Sequence, residues 1–405
     1  MKDCKKAEGK AKSFDDFHYL ADTLYYSLSD IEWVRKICKK AKDKAKTFDD
    51  FRDLVSDVEE YLGDYELLKE IYKKAENKAR TSEDFCWLAS CLCEQLSPGI
   101  YKGDKKWAKE IYKKAEEKGE EYSDFRSLFD SINEKLGDKE WVEKIYKKAE
   151  GKAEDCWDFS NLAENIHEKL GDKVWAKKVY KKAEGKAEEY SDFCCLAESL
   201  CLGDKKWAKK VYKKAEGKAE TSFDFRDLAD NIHEKLGDKE WATRLYKKSE
   251  KKADEYELTS LAESIQEKLG DKDWAKKIYK KAEKKFEDYS DLSSLADSLF
   301  ELGDKEWATR LYKKSGGKAE ISDDFRSLGD SVYINLGDKE WAKEIYKKAE
   351  GKAETSYDFD SLASSIKELG DKKWAKLVGQ KAKELEEEND DEDEGDYDEE
   401  DDNKW

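Results

Sequence analysis

Residues 159–187 read FSNLAENIHEKLGDKVWAKKVYKKAEGKA, two amphipathic helices with a stop between them. Phe159, Leu162, Ala163, Ile166 and Leu170 fall at i, i+3, i+4, i+7 and i+11, which puts them on one face of a helix. Gly171 follows, and glycine closes helices because it enters the left-handed region without a Cβ clash. Asp172 is placed to cap the next helix, its carboxylate accepting from first-turn N–H groups that have no partner inside the helix. Trp175, Ala176, Val179, Tyr180, Ala183 and Ala187 form the stripe of that second helix. Gly185 is no stop, because the matching positions hold Asn77, Glu117, Lys251 and Lys284. A glycine inside a helix costs about 1 kcal/mol against alanine, and the pattern absorbs it.

The same block recurs along the chain. Gly-Asp-Lys-x-Trp-Ala, or a close variant, places its aspartate at Asp104, Asp138, Asp172, Asp204, Asp238, Asp271, Asp304, Asp338 and Asp371, with weaker copies at Asp30 and Asp64. The eleven aspartates are 34, 40, 34, 34, 32, 34, 33, 33, 34 and 33 residues apart. The long interval contains Ser97-Pro98-Gly99-Ile100-Tyr101-Lys102, expected to lengthen a turn. Asp238 to Ser249 and Asp304 to Ser315 carry the same twelve letters, DKEWATRLYKKS, which indicates duplication of whole units. A period of 33–34 residues is too short for a globular domain and right for one helix pair, which must stack on its neighbours to bury both faces.

Composition agrees. Charged residues are 44% and apolar residues 38%, thin for one large globule and enough when every helix buries a single stripe. Pro98 is the only proline, as an almost wholly helical chain requires. No stretch approaches the roughly 18 apolar residues of a membrane span, and Met1-Lys2-Asp3-Cys4-Lys5 has no apolar run of a signal peptide. Nine scattered cysteines, an odd number, favour thiols in a reducing compartment; a soluble, cytoplasmic protein is expected. The net charge of −18 is concentrated: residues 386–405 hold 14 acids against one lysine, net −13, so the rest carries −5. That segment has almost nothing apolar to bury, and a disordered acidic tail is expected over residues 386–405. Residues 1–12 read as the remnant of a preceding repeat helix, and 13–385 as the array.

Leu170-Gly171-Asp172 with Ala176, Tyr180 and Ala183 resembles the second helix of the tetratricopeptide repeat (TPR) family. Phe359, Leu362, Ala363, Ile366 and Leu369 resemble its first helix. The resemblance spans roughly residues 13–385. It departs from the family in lacking the closing proline, in carrying a tryptophan such as Trp175 beside the helix-B alanine, and in placing Lys177 and Glu184 where apolar residues are common. The resemblance implies an all-α, right-handed solenoid of about eleven TPR-like helix–turn–helix repeats. It also implies a concave face, lined by first helices, that takes a protein or peptide segment.

The internal copies serve as their own alignment. The column after the first-helix Phe reads His18, Arg52, Cys86, Arg126, Ser160, Cys194, Arg226, Thr259, Ser293, Arg326 and Asp360. Seven residues on, hence on the same face, stand Tyr25, Glu59, Cys93, Asn133, His167, Cys201, His233, Gln266, Phe300, Tyr333 and Lys367. Between them runs an acid column with Asp22, Asp130, Glu164, Glu198, Asp230, Glu263, Asp297 and Asp330. Variation on a constant frame suits recognition, and relaxed drift on a solvated face predicts the same pattern. The candidate ligand groove is Arg126, Asp130, Asn133, Glu164, His167, Cys194, Cys201, Arg226, Asp230 and His233. Arg126/Asp130, Arg226/Asp230 and Arg326/Asp330 are four apart and expected to form surface ion pairs. The acids stand where the TPR carboxylate clamp has asparagine, so that clamp is not expected.

No metal or cofactor site is expected. His167, Cys201 and His233 share a column, but neighbouring helices are about 8–10 Å apart while metals need donors at about 2.0–2.3 Å. Gly316-Gly317-Lys318 is followed by Ala319, not the hydroxyl residue of a phosphate loop, and HExxH, GxSxG and paired-Cys zinc spacings are absent. An enzyme is not expected. Lys-Lys pairs such as Lys147/Lys148, Lys181/Lys182 and Lys213/Lys214 make a basic row, but with a body charge of −5 a solvated face outweighs nucleic-acid binding. The expectation is a protein- or peptide-binding scaffold. The alternative is a structural array that self-associates through an apolar N-terminal repeat edge.

Overall fold

The computed structural model describes residues 2–93 and 103–393, and every regular element among them is helical. By contacts the chain divides into two compact units, Met1–Val211 and Tyr212–Trp405. After the short helix Lys2–Lys10 the N-terminal unit holds the pairs Phe14–Leu28 with Ile31–Lys44, Phe48–Tyr61 with Tyr65–Glu76, and Ser82–Cys93 with Lys105–Lys118. Next come Tyr122–Ser131 with Lys139–Glu150, Cys156–Asn165 with Lys173–Lys186, and the first helix Tyr190–Cys201, whose partner Lys205–Lys218 contains the division. The C-terminal unit continues with Ser222–Asn231 and Lys239–Lys252, Glu255–Ser264 and Lys272–Glu283, and Tyr289–Glu301 and Lys305–Gly316. It ends with Ser322–Ser331 and Lys339–Glu350, then Ser356–Leu369 and Lys372–Asp393. We number these repeats one to eleven. Within each unit, first helices pack on first helices of adjacent repeats as well as on their own partners. The chain is an all-α protein built of repeated helix pairs.

Local sequence sets each boundary. Most first helices open on a capping box, as where Thr221 Oγ1 accepts from Asp224 N at 3.1 Å while Asp224 Oδ2 accepts from Thr221 N at 2.9 Å. Second helices open on the recurrent aspartate, as where Asp172 Oδ1 accepts from Trp175 N at 2.9 Å. Gly171 has φ +72°, in the left-handed region expected of it. Gly185 lies inside the helix Lys173–Lys186.

One expectation is corrected. Leu170 does not finish an α-helix; Ile166–Leu170 is a single wide π turn, matched at Ile132–Leu136, Ile232–Leu236, Ile265–Leu269 and Val332–Leu336. In those repeats thirteen residues separate the first-helix Phe, or its Leu or Phe equivalent, from the capping aspartate, as from Phe159 to Asp172. Where the span is twelve, as from Leu292 to Asp304, or eleven, as from Phe193 to Asp204, the helix stays α to its end. The π turn is one way to absorb the extra residue without moving the cap; repeats one and two have the same thirteen-residue span, Phe17 to Asp30 and Phe51 to Asp64, but stay α and take it up in the turn. At the shortest turn Gly203 is not left-handed, unlike Gly171.

The core is continuous within each unit. Phe159, Leu162, Ala163 and Ile166 are buried against Ala176, Val179, Tyr180 and Ala183, and second-helix tyrosines such as Tyr146, Tyr246 and Tyr346 are fully enclosed. The final helix runs to Asp393, so the first eight residues of the segment expected to be disordered, 386–393, are helical. They continue a helix already anchored by Val378 and Ala382, and elongation costs far less than nucleation. Residues 394–405, and the insertion at residues 97–102, lie outside the described residues. Among the described residues no helix is long and apolar enough to cross a membrane.

Candidate recognition surface

Second helices are bound to one another by a repeated clasp. Trp241 Nε1 donates to Glu216 Oε2 of the preceding second helix at 2.7 Å, and Lys248 Nζ donates to the other oxygen at 2.8 Å. The indole–carboxylate bond recurs as Trp33–Glu8, Trp107–Glu76, Trp141–Glu116, Trp175–Glu150, Trp207–Glu184, Trp274–Glu250, Trp307–Glu283 and Trp374–Glu350, at 2.7–3.0 Å. A lysine completes it at Lys40–Glu8, Lys114–Glu76, Lys148–Glu116, Lys182–Glu150, Lys281–Glu250 and Lys381–Glu350, at 2.6–2.8 Å. Burial alone would raise the Glu216 carboxyl, but Lys248 and Trp241 outweigh it and hold the group below its ordinary range. At Glu8 the hydrogen bonds from Lys40 and Lys36 bring it down to about 2.

The clasp accounts for the departures from the TPR pattern. Glu184 stands at an apolar position because it receives Trp207. Lys177 reaches Asp204 at 3.5 Å and lies 5.7 Å over the Trp207 ring. At one junction both partners change together, Lys42 replacing the glutamate and Leu67 the tryptophan, whereas at another Gly316 replaces the glutamate and Trp341 is kept. The basic row is used in the same way. In several pairs the second lysine takes the glutamate, as Lys148, Lys182, Lys248 and Lys281 do, and the first often lies over the next tryptophan, as Lys147 does over Trp175 at 5.8 Å and Lys280 over Trp307 at 5.7 Å.

First helices present a different surface. In the N-terminal unit Arg126 and Asp130 are exposed and Asn133 is half-buried. Among the described residues no ion pair of Arg126 is seen; its guanidinium lies 4.8 Å over the ring of Trp157 in the next repeat, which is 47% exposed. An open cavity of about 430 Å³ adjoins the pair, lined also by Glu121, Lys152, Asp155 and Asp158. Glu164 accepts from Ser199 Oγ at 3.2 Å. His167 walls an apolar-floored cavity of about 180 Å³ with Lys177, Tyr180, Leu200 and Trp207, beside the shortened turn at Gly203. Cys201 is half-buried. Cys194 is 5% exposed and cannot line a groove; its column turns inward at this repeat because a small side chain fits between helices where arginine cannot.

In the C-terminal unit Arg226 is half-buried and lies 5.4 Å over Phe223 of its own helix, not against Asp230. Asp230 instead accepts from the Tyr246 hydroxyl and from Ser264 Oγ, the latter at 3.3 Å. Burial pushes Asp230 above its ordinary range even so. His233 is half-buried. Of the three ion pairs expected from spacing, Arg326–Asp330 forms, at 2.9 Å, and the other two arginines prefer aromatic faces. The acid column therefore works largely as a tie within the array: Asp330 accepts from Tyr346 of its own repeat's second helix at 2.6 Å and from Ser365 of the next first helix at 3.2 Å, and Glu263 from Ser298 of the next first helix at 2.8 Å.

The sequence reading missed the exposed aromatics. Trp157, Phe223, Tyr256 and Tyr357 each sit two residues before the first-helix Phe or Leu and are 47–75% exposed. Their signal was present, as large apolar residues off the stripe. The nine cysteines form no disulfide, and burial pushes the Cys38 and Cys86 thiols up to about 12.

No protein-family model matches the chain, and no curated protein matches its sequence. Among solved structures, a circular tandem repeat protein with novel repeat topology is similar at 18% identity and TM-score 0.14, over 92% of this chain and 75% of that one. Yeast Tom70 is similar at 15% identity and TM-score 0.30, over 91% of this chain and 90% of that one. The helical-repeat fold rests on the helix pairs themselves.

Proposed function

We propose that this protein is a binding scaffold, not a catalyst, and that it takes extended protein or peptide segments on its first-helix faces. The observation that carries the reading is the contrast between the two kinds of helix. Second-helix side chains are committed, repeat after repeat, to the Trp–Glu–Lys clasp. The exposed groups that differ between repeats are on first helices, and they include cation–aromatic pairs such as Arg126 on Trp157 and Arg226 near Phe223. Arginine and aromatic residues carry most of the energy in protein interfaces. The acids nearby, exposed Asp155 and half-buried Asp158 beside Arg126, favour a segment of mixed charge with basic residues among its contacts.

The test is selection of a random peptide library on the full chain, followed by rebinding to variants. Arg126→Ala with Trp157→Ala, and separately Arg226→Ala with Phe223→Ala, should each weaken a set of selected peptides at least about tenfold, since such anchors contribute 1–2 kcal/mol or more. Circular dichroism should stay native. Selected peptides that ignore both variants but are lost with Lys147→Ala and Lys181→Ala would move the working surface to the second helices and end this proposal.

A further inference from the structure

Asp57 breaks a rule that the other repeats keep. Six residues after the first-helix Phe or Leu stand Thr23, Cys91, Ser131, Asn165, Ser199, Asn231, Ser264, Ser298, Ser331 and Ser365, all small neutral residues. Where the preceding repeat offers its column acid, the serine donates to it: Ser199 to Glu164 at 3.2 Å, Ser264 to Asp230 at 3.3 Å, Ser298 to Glu263 at 2.8 Å and Ser365 to Asp330 at 3.2 Å. In repeat two the donor is replaced by Asp57, so a second acceptor faces Asp22. Asp57 is moreover 5% exposed. Two carboxylates in one poorly hydrated place repel each other unless a cation lies between them.

The third group there is His18, one helical turn before Asp22 on the same helix. Its Nδ1 is 2.7 Å from Asp57 Oδ2. One ligand-capable atom from each of His18, Asp22 and Asp57 lies within 4.8 Å of the other two. Supports hold the ligands in place: Tyr61 donates its hydroxyl to Asp22 at 2.7 Å, and Phe14 stacks on the His18 ring at 5.7 Å. Such outer contacts orient metal ligands in general. Arg35, the nearby permanent cation, is committed to Asp64. The His18 side chain is 33% exposed, which leaves an entry path from solvent. The matching trios elsewhere, such as Arg126/Asp130/Asn165 and Ser160/Glu164/Ser199, lack this donor set.

We propose that His18, Asp22 and Asp57 form a binding site for a divalent first-row transition-metal ion, zinc being the expected occupant, that joins the first helices of repeats one and two. One imidazole and two carboxylates match zinc's ligand types, with water filling the open position. Bonds of about 2.0–2.2 Å require donor atoms roughly 3–4 Å apart, so small rotations about the side chains close the site. Cys38 is buried nearby, but its sulfur is not among the ligand atoms that lie within 4.8 Å of one another.

The experiment is zinc titration of the full chain by calorimetry and by thermal melting, with thiols kept reduced. Cobalt serves as a spectroscopic probe. The wild type should bind one ion per chain at this site and melt higher with zinc, and the cobalt spectrum should lack thiolate charge-transfer bands. Asp57→Ser installs the residue other repeats carry, so it should fold normally, bind zinc at least about tenfold more weakly and lose the zinc-dependent rise in melting. His18→Ser, the residue found at Ser160 and Ser293, should do the same and guards against a folding defect in the first variant. A wild type whose melting ignores zinc, or a rise that survives in both variants, overturns the proposal.

Discussion

Gly316 shows how much one side chain decides. It stands where the other clasps have glutamate, and Trp341 has no carboxylate partner for its indole among the described residues. Gly316→Glu should restore the clasp and raise the melting temperature, combining about 1 kcal/mol of helix propensity with about 0.5–1.5 kcal/mol for the hydrogen bond. A Cβ there would meet Leu328 Cδ2 at 3.0 Å, the rotatable end of a side chain. Differential scanning calorimetry checks this, and a lower melting point would mean Leu328 cannot turn aside. The clasp acids also set an acid limit. Glu8, Glu216 and Glu350 lie below their ordinary carboxyl values in the folded chain. Their stabilisation is therefore complete above the unfolded value of about 4.5 and lost as pH falls through it toward the folded value, about 2 for Glu8. Asp230 and Asp297, raised by burial, have the opposite sign and take up protons sooner when folded. Glu216→Gln should lose less melting temperature than wild type between about pH 5 and pH 2.5. An unchanged slope would show that the clasp contributes no acid-labile stability.

At the scale of the element, the turn between the two helices of a repeat is the adjustable part. Repeat seven closes with the π turn Ile232–Leu236, while the last repeat reaches its cap through an unbroken helix Ser356–Leu369. The sequences differ by one residue in length, with two substitutions besides: NIHEKLGDK in one, SIKELGDK in the other. Deleting Lys235 should therefore convert the π turn to a plain α ending, with Asp238 still capping the helix Lys239–Lys252. The expected outcome is native circular dichroism and a melting point within a few degrees of wild type. A large loss would mean that the extra residue supports the packing of its own repeat. The buried Ile232 is kept by the deletion, which is why little change is expected.

For the molecule as a whole, stability comes from nearest neighbours, since no helix pair buries both its faces alone. Within the N-terminal unit the contact from Lys42 to Leu67 lacks a clasp, and in the C-terminal unit that from Gly316 to Trp341 does. The far end of the chain adds charge and little core: Val378 and Ala382 are buried, and beyond them the helix carries mostly acids. Deletion of residues 386–405 should lower helicity only by the few helical residues removed and leave the melting point nearly unchanged. A fall of many degrees would show that this segment packs against the array.

The helix pairs, their number and their caps were legible in the sequence because they depend on local periodicity and turn chemistry. Phe159 to Leu170, Gly171 and Asp172 state a helix, a stop and a cap within fourteen residues. The tryptophan on the second-helix stripe was equally legible, and Trp241 is 5% exposed. Side-chain pairing across repeats was not legible. Spacing put Arg126 with Asp130 and Arg226 with Asp230, yet the guanidinium groups lie on Trp157 and Phe223, because an aromatic face one repeat away competes with an acid one turn away. Cys194 sat in a varied column and proved buried, since exposure depends on the neighbouring helix and not on the residue's own. Trp–Glu clasps join residues 23–31 apart, and His18 meets Asp57 at a separation of 39. Those distances in sequence are closed only by the stacking of one repeat on the next, so tertiary structure alone decided which polar groups are fastenings and which remain open to a partner.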